Sequence, residues 1–235
     1  MEYLEPVIYA LFIGAIILSI YAQFKVSGTF RKYSSSYTFA GRTGAEVART
    51  VLSDNSVYGV QIARVRGNLT DHFDPRNNTL ALSDGVYASS STSAIGVAAH
   101  EAGHAVQHSI GYFPVKLRSA LVPVTGFASR TSWLFIMLGV LLFSFTDLGY
   151  YVLLCGIALF AVTTAFQLVT LPCEFDASRR ALAALRATGA YSDAELRETK
   201  KVLTAAAMTY VAAMLVSALQ LLRLLLILSR GNRRR

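Results

Sequence analysis

Cysteine and charged residues are both scarce in this chain of 235 residues. The two cysteines, Cys155 and Cys173, cannot build a disulfide framework, and both belong to apolar stretches, so we interpret them as packing residues. Charged residues make up only 15% of the chain and hydrophobic residues 54%, which excludes a soluble domain of average composition. The composition is instead typical of a membrane protein.

The basic excess, 22 Lys and Arg against 14 Asp and Glu, does not indicate a nucleic-acid partner. Basic residues flank apolar runs, as Lys25, Arg31 and Lys32 do after the first run, and no interleaved aromatic residues accompany them. Basic flanks of this kind mark the cytoplasmic ends of membrane spans. We therefore predict the lipid bilayer, and no nucleic acid, as a partner.

Three uncharged apolar runs are long enough to cross a hydrocarbon core as helices. They cover residues 6–24, 148–173 and 202–222. A further helix is expected from about Ser119 to Phe145, with Arg130 near the membrane interface, where its long stem can reach the headgroups. The first run is interpreted as an anchor and not as a cleaved signal, since no basic start precedes it and Lys25 follows it directly.

Charges beside these runs predict the orientation of the chain. Glu2 and Glu5 precede the first run and Lys25 follows it, so we expect the N-terminus outside and residues 25–118 in the cytoplasm. The second and third spans then form a hairpin whose tip lies outside. We favour a further crossing by 202–229. This crossing would bring the arginines at the end of the chain to the outer side of the membrane, against the usual charge distribution, so whether the segment crosses completely stays open.

The segment between the first two spans has the pattern of a small α+β unit. A capping box formed by Thr43 and Glu46 predicts a helix that stops near Asn55. Strands are predicted over 57–65 and 79–82, separated by a polar stretch with a turn at 74–78. A serine-rich loop at 89–93 supplies the N-cap of a helix from Ala94 that ends before Gly111. The strand over 79–82 is a candidate for pairing with an extended peptide.

The helix that ends before Gly111 carries His100, Glu101 and His104 in the pattern HExxH. Residues four apart on an α-helix lie on one face, one turn apart, so both imidazoles can bind one metal ion. Glu101 lies beside that ion without binding it, and can take a proton from a zinc-activated water and deliver it to the leaving amine. The pattern is typical of zinc peptidases. We expect one zinc ion per chain.

A catalytic zinc needs a third protein ligand and one open position for water. Glu174 is the candidate, because it directly follows the third predicted span, which contains the apolar run 148–173, and is expected to return to the same side of the membrane as the HExxH helix. The alternative is an interfacial carboxylate that caps a helix starting after Pro172.

These motifs resemble those of the YugP-type bacterial membrane zinc metallopeptidases. The likeness covers nearly the whole chain and is carried by residues 100–108, 69–75 and 171–181. The stretch from Glu174 to Ala177 is also similar to one in HtpX and the CAAX prenyl proteases, in which a distant glutamate binds the zinc ion. The resemblance therefore implies that Glu174 is the third ligand.

The chain departs from the HtpX pattern in one respect. Where those enzymes commonly have an aspartate that supports a ligand histidine, four residues after the glutamate, this chain has Ser178. Alternatives for that supporting role are Asp71, Asp74 and Asp176.

Several further residues are candidates for the site. His108 could be an oxyanion donor, a support for a ligand, or a polar residue at the helix end. His72 lies in a predicted loop and could bind substrate or a second metal, although a solvated turn is the simpler interpretation. The other candidates for stabilising the oxyanion are Arg179, Arg180 and Tyr210.

The predicted fold is mostly α: a polytopic membrane protein with a small α+β zincin-like cytoplasmic catalytic unit. Its parts are a transmembrane anchor over 1–24, a zincin-like segment over 25–118, a transmembrane hairpin over 119–171, a cytoplasmic segment with the third ligand over 172–201, and an apolar helix with a basic tail over 202–235.

The predicted function is hydrolysis of peptide bonds by a membrane-embedded zinc metalloendopeptidase in the plasma membrane, with its active site facing the cytoplasm. The expected substrate is a peptide or protein, membrane-anchored chains included. Two alternatives stay open: a non-catalytic scaffold or chaperone with a degenerate metal site, and a site-2-type intramembrane protease. The latter needs an aspartate ligand in a later span, and the later apolar runs contain none.

Overall fold

The computed structural model describes residues 4–143 and 145–233 and is mostly helical. The predicted flanking charges of Glu2, Arg234 and Arg235 lie outside the described residues. The helices are α1 (Leu4–Tyr33), α2 (Gly44–Asp54), α3 (Asp84–Tyr87), α4 (Thr92–Ser109), α5 (Phe113–Leu142), α6 (Asp147–Ala187) and α7 (Asp193–Arg233). The strands are β1 (Gln61–Val65), β2 (His72–Asp74) and β3 (Thr79–Ser83).

The chain forms two compact units. One, called here the helical unit, comprises Met1–Tyr21, Leu117–Leu171 and Tyr210–Arg235. The other, called here the mixed unit, comprises Ala22–Lys116 and Pro172–Thr209 and contains the sheet. The long helices α1, α5, α6 and α7 each contribute to both units.

Four of the described helices, α1, α5, α6 and α7, are long and apolar enough to cross a membrane. Many of their large apolar side chains are exposed, as lipid-facing residues must be; Ile17, Leu134 and Leu225 are examples. Four apolar helices were predicted, but α5 begins at Phe113 rather than near Ser119 and ends at Leu142. The protein is thus a mostly helical membrane protein.

Two features hold the helical unit together. A Cβ added to Gly139 would lie 2.5 Å from backbone atoms of Leu153, so α5 and α6 touch through their main chains, as small residues allow in membranes. The Arg223 guanidinium lies 4.4 Å from the ring centroid of Tyr9 and donates a hydrogen bond to Gln220. These contacts offset part of the cost of a charged residue in an apolar helix.

The sheet of the mixed unit has the order β1-β3-β2, with β1 parallel and β2 antiparallel to β3. The prediction that 79–82 pairs with a peptide is therefore wrong, because β3 is the central strand and both its edges are paired within the protein. The prediction of a strand over 57–65 is right only from Gln61 onward. Positive φ values at Ser56 and Gly59 interrupt an extended chain before that point.

Small residues let the helices of the mixed unit approach closely. A Cβ at Gly44 would lie 2.3 Å from the Val86 carbonyl oxygen and 3.2 Å from the Ala98 side chain, so α2 packs tightly on α4. The predicted capping box at Thr43 and Glu46 is present at the start of α2. The helix α4 starts at Thr92, two residues before the predicted Ala94, with Ser91 as its N-cap.

Candidate metal centre

The candidate centre lies in the mixed unit, where α4 packs on α6. A Cβ at Gly103 would lie 2.9 Å from the carbonyl oxygen of Ala177, so the two backbones are in contact at this point. Glu174 precedes Ala177 by three residues on α6, close to one helical turn. The glycine inside HExxH thereby brings the carboxylate of Glu174 onto the face of α4 that carries the two imidazoles.

The carboxylate and both imidazoles meet in a small space. The Nε2 atoms of His100 and His104 lie 3.2 Å and 3.5 Å from Glu174 Oε2. One ligand atom from each residue lies within 4.8 Å of the other two. Glu174 is only 3% exposed, while the two histidines are partly buried. Because α6 continues through Pro172, Glu174 lies inside a helix, and the alternative of a capping carboxylate at a helix start is wrong.

This donor set fits a zinc ion. Two donors each about 2.0–2.1 Å from a tetrahedral zinc are about 3.3 Å apart. The separations of Glu174 Oε2 from the two Nε2 atoms, 3.2 Å and 3.5 Å, lie on either side of that value. Two imidazoles and one carboxylate are also a ligand set that leaves a fourth position for water or substrate.

A hydrogen bond at the second ring nitrogen orients each imidazole. His104 Nδ1 lies 2.9 Å from Gln107 Oε1, and His100 Nδ1 lies 3.1 Å from Ser178 Oγ. The Gln107 oxygen can only accept, so His104 holds a proton on Nδ1, and in the neutral ring that a metal ion requires the Nε2 lone pair is left toward Glu174. Ser178, which stands where HtpX-like enzymes commonly have a supporting aspartate, thus contacts the ring of His100.

Sequence reasoning missed Gln107. It is fully buried, and its amide donates to the Cys173 carbonyl at 2.8 Å and to Asp176 Oδ2 at 2.9 Å. Asp176 in turn accepts from Arg179 and Arg180. The signal was available, because Gln107 follows His104 by three residues and so lies on the same side of the helix.

The three predicted supporting aspartates thus have different roles. Asp176 is connected to His104 through Gln107. Asp71 accepts from the Ser83 backbone N–H at 2.7 Å and from its hydroxyl at 2.9 Å. Burial raises the pKa of Asp71, although the Ser83 hydrogen bonds counteract it. Asp74 pairs with Arg76, whose hydrogen bonds lower the pKa of the Asp74 carboxyl.

The charges around His104 favour a cation. Burial lowers the pKa of His104, but the hydrogen bond with Glu174 and the negative charges of Glu101 and Glu174 outweigh it, so the pKa is raised. A divalent cation bound between the same groups would replace the proton, because ligand imidazoles must be neutral. The site is therefore built to compensate positive charge.

The remaining predicted residues are spread over the structure. Glu101 is half-buried on α4 next to His100. His108 is exposed, and its ring lies edge-on to Phe73 of β2 with centroids 6.0 Å apart. His72 lies in β2 opposite Ala81, so its prediction as a loop residue is wrong. Tyr210 belongs to the helical unit, and its role stays a prediction.

Comparisons with known proteins agree with this chemistry. A family model described as "Putative neutral zinc metallopeptidase" matches residues 8–229. The "Putative membrane protease YugP" of Bacillus subtilis (strain 168) is 47% identical over 220 residues, which cover 94% of this chain and 96% of the relative. No solved structure matches the chain. The resemblance found in the sequence is thus confirmed, and the protein belongs to the family of YugP-type zinc metallopeptidases.

Proposed function

We propose that this membrane protein is a zinc metalloendopeptidase in which His100, His104 and Glu174 hold one zinc ion and Glu101 is the general base. The observation that carries the proposal is the convergence of three ligand atoms within 4.8 Å of one another, on two helices of the mixed unit. Membership of a zinc metallopeptidase family supports the same chemistry.

When bound, zinc lowers the pKa of a water that it coordinates and polarises a scissile carbonyl. Glu101 accepts the proton of the attacking water and delivers it to the nitrogen of the leaving amine. The water oxygen forms a bond to the carbonyl carbon, and the C–N bond breaks. Gln107 and Ser178 hold the imidazoles in the orientation in which both Nε2 atoms face Glu174.

The oxyanion that forms during this attack needs a hydrogen-bond donor. Arg179 and Arg180 both donate to Asp176, whereas His108 is exposed at the end of α4 beside β2. We propose that the donor is one of His108, Arg179, Arg180 and Tyr210.

We further propose that the enzyme lies in the plasma membrane, with the mixed unit in the cytoplasm, and that it cleaves peptides or proteins, membrane-anchored chains included. The basic residues Lys25, Arg31 and Lys32 in the last turns of α1 support this orientation, because such residues stay on the cytoplasmic side.

The test is a Glu101→Gln variant of the purified full-length protein. We expect it to keep one zinc ion per chain and to lose peptide hydrolysis by about 10²–10⁴-fold, the usual contribution of a general base. Metal content is measured by elemental analysis and hydrolysis with a quenched-fluorescence peptide library. A Glu46→Gln variant is the control, because a glutamine can replace the glutamate of a capping box.

Two outcomes would contradict the proposal. A wild-type protein that binds no zinc and cleaves no peptide would favour the scaffold alternative. Full activity in the Glu101→Gln variant would remove Glu101 from the mechanism, even if the metal site were right.

A further inference from the structure

A pocket of about 610 Å³ lies inside the helical unit, among α1, α5, α6 and α7. Its volume falls in the range of small-molecule sites, about 300–1,000 Å³. The helix α7 contributes the longest stretch of its wall, from Ala213 to Arg223. Because all four helices are candidate membrane spans, the pocket lies in the part of the protein that lipid surrounds.

Among the described residues of the wall, Arg223 is the only charged one. Its Nη1 donates to Gln220 Oε1 at 3.4 Å, and its guanidinium lies 4.4 Å and 5.7 Å from the ring centroids of Tyr9 and Phe12. Its Nε is buried without a hydrogen-bond partner, and no acidic side chain of residues 4–143 and 145–233 forms an ion pair with it. Neutral partners do not fully compensate a charge in apolar surroundings, so this end of the pocket favours an anion.

The hydroxyl groups of the wall are used within the protein. Ser132 and Thr163 each donate to a carbonyl oxygen one turn earlier in their own helices, and the Ser217 hydroxyl lies 2.8 Å from that of Thr164. Such bonds leave few donors for the carbonyl groups of an extended peptide, each of which needs a partner in lipid surroundings. An acyl chain has no such groups, so it fits this wall better than a peptide does.

The length of the pocket suits the lipid chains of one leaflet. Arg223 and Ala213 are ten residues apart on α7, which is about 15 Å of helix. Half of a hydrocarbon core about 30 Å thick has the same depth. Tyr9, which Arg223 contacts, is three residues, or about 5 Å of helix, after Pro6, where the apolar run of α1 begins. Arg223 is therefore close enough to a membrane boundary to meet a lipid phosphate.

The wall formed by α5 reaches the surface of the helical unit. Ser129 and Trp133 both line the pocket and are exposed, Trp133 to 51%. The Trp133 ring packs edge-on against Phe160, another lining residue, with centroids 6.3 Å apart. An acyl chain can thus enter beside α5 without leaving the membrane.

We propose that this pocket binds one anionic phospholipid of the surrounding bilayer. Its phosphate pairs with Arg223 through charge-assisted hydrogen bonds, which give Nε a partner, and one acyl chain lies along α7 toward Ala213. A phospholipid is favoured over other anionic amphiphiles because it forms the bilayer and so surrounds these helices at the highest concentration. The site uses none of the candidate zinc ligands and does not depend on the proposed peptidase function.

Trp133 is the only tryptophan of the chain, so its fluorescence reports on this pocket. The test adds phosphatidylglycerol or phosphatidylcholine with brominated acyl chains, which quench tryptophan on contact, to the full-length protein in non-ionic detergent. We expect half-maximal quenching at an about tenfold lower concentration of the anionic lipid, the effect of one charge-assisted hydrogen bond. Native mass spectrometry should find one retained anionic lipid per chain.

The variant Arg223→Gln should lose the preference for the anionic lipid, because the charge that pairs with the phosphate is gone. Arg130→Gln is the matched control: it removes an exposed arginine three residues before Trp133 but outside the lining, and should keep the preference. Ala213→Leu narrows the other end of the pocket while Arg223 stays, and should weaken binding of the anionic lipid.

Four outcomes would overturn the proposal. Equal quenching of the wild type by both lipids would show only unselective lipid contact with the exposed tryptophan. Loss of the preference in Arg130→Gln would place the lipid on the outer face of α5, and unchanged binding in Ala213→Leu would remove the acyl chain from the pocket. Tighter binding of a brominated fatty acid than of either phospholipid would assign the site to a carboxylate instead of a phosphate.

Discussion

Single hydrogen bonds determine how the two candidate ligand histidines of this protein present their donor atoms. Ser178 and Gln107 each hold one Nδ1 atom, and both Nε2 atoms then face Glu174. Supports of this kind change metal affinity because they set both the tautomer and the direction of the ring. Gln107 is itself held by Asp176, so the support of His104 is a chain of buried groups.

We predict that Ser178→Ala weakens zinc binding by about 10–100-fold, the usual effect of losing a hydrogen bond that supports a ligand. Ser178→Asp should bind zinc at least as tightly as the wild type, because an ionised acceptor makes a stronger hydrogen bond to the imidazole. Competition with a chromogenic chelator measures both affinities. Ser53→Ala, which removes a hydroxyl bonded only within α2, serves as the control. Unchanged affinity in Ser178→Ala would show that the serine has no supporting role.

Among the helices, the contact between α4 and α6 is decisive for the site. It depends on Gly103, one of the two positions in HExxH where the motif permits any residue, because a Cβ there would meet the main chain of Ala177. Backbone atoms cannot move aside as a flexible side chain can, so any added atom separates the helices. Separation would move Glu174 away from the two imidazoles.

Gly103→Ala should therefore lower zinc affinity and destabilise the protein by about 1–3 kcal/mol, the typical cost of overpacking. Thermal unfolding in detergent and zinc titration measure the two effects. Gly28→Ala is the matched control, since a Cβ at this helical position meets nothing within 4 Å, and it should leave both quantities unchanged or raise stability slightly. A tightly binding, stable Gly103→Ala protein would refute the close contact.

Sequence patterns predicted some of these elements well and others poorly. The capping box of α2 and the N-cap of α4 depend on residues three apart, so they could be read locally. The strand β2 was missed because three residues are too few for an alternating pattern. The continuation of α6 past Pro172 was missed because proline usually ends a helix. In the structure, Cys173 and Ala177 lie in α6 after this proline and are buried.

For the whole molecule, the untested prediction is the side of the membrane on which each connection lies. The charged residues beside the apolar runs predict that the tip of the α5–α6 hairpin lies outside and that the α6–α7 connection lies in the cytoplasm. We therefore expect Phe145→Cys to react with a membrane-impermeant maleimide in intact cells, and Ser192→Cys to react only after permeabilisation. Both positions are exposed. The parent chain, whose two cysteines lie in α6, measures background labelling. Labelling of Ser192→Cys in intact cells would reverse the proposed orientation.

Local spacing was enough to identify the membrane helices, the pair of imidazoles and the adjacent glutamate, because helical period and apolar length relate residues that are close in sequence. Glu174 was predicted from its place after an apolar run and from the family resemblance, but the close packing at Gly103 that brings it to His100, 74 residues away, leaves no periodic pattern. The support from Gln107 and Ser178 likewise depends on which helix faces meet. Such long-range contacts follow from the shapes of packed helices, so they became visible only in the folded chain.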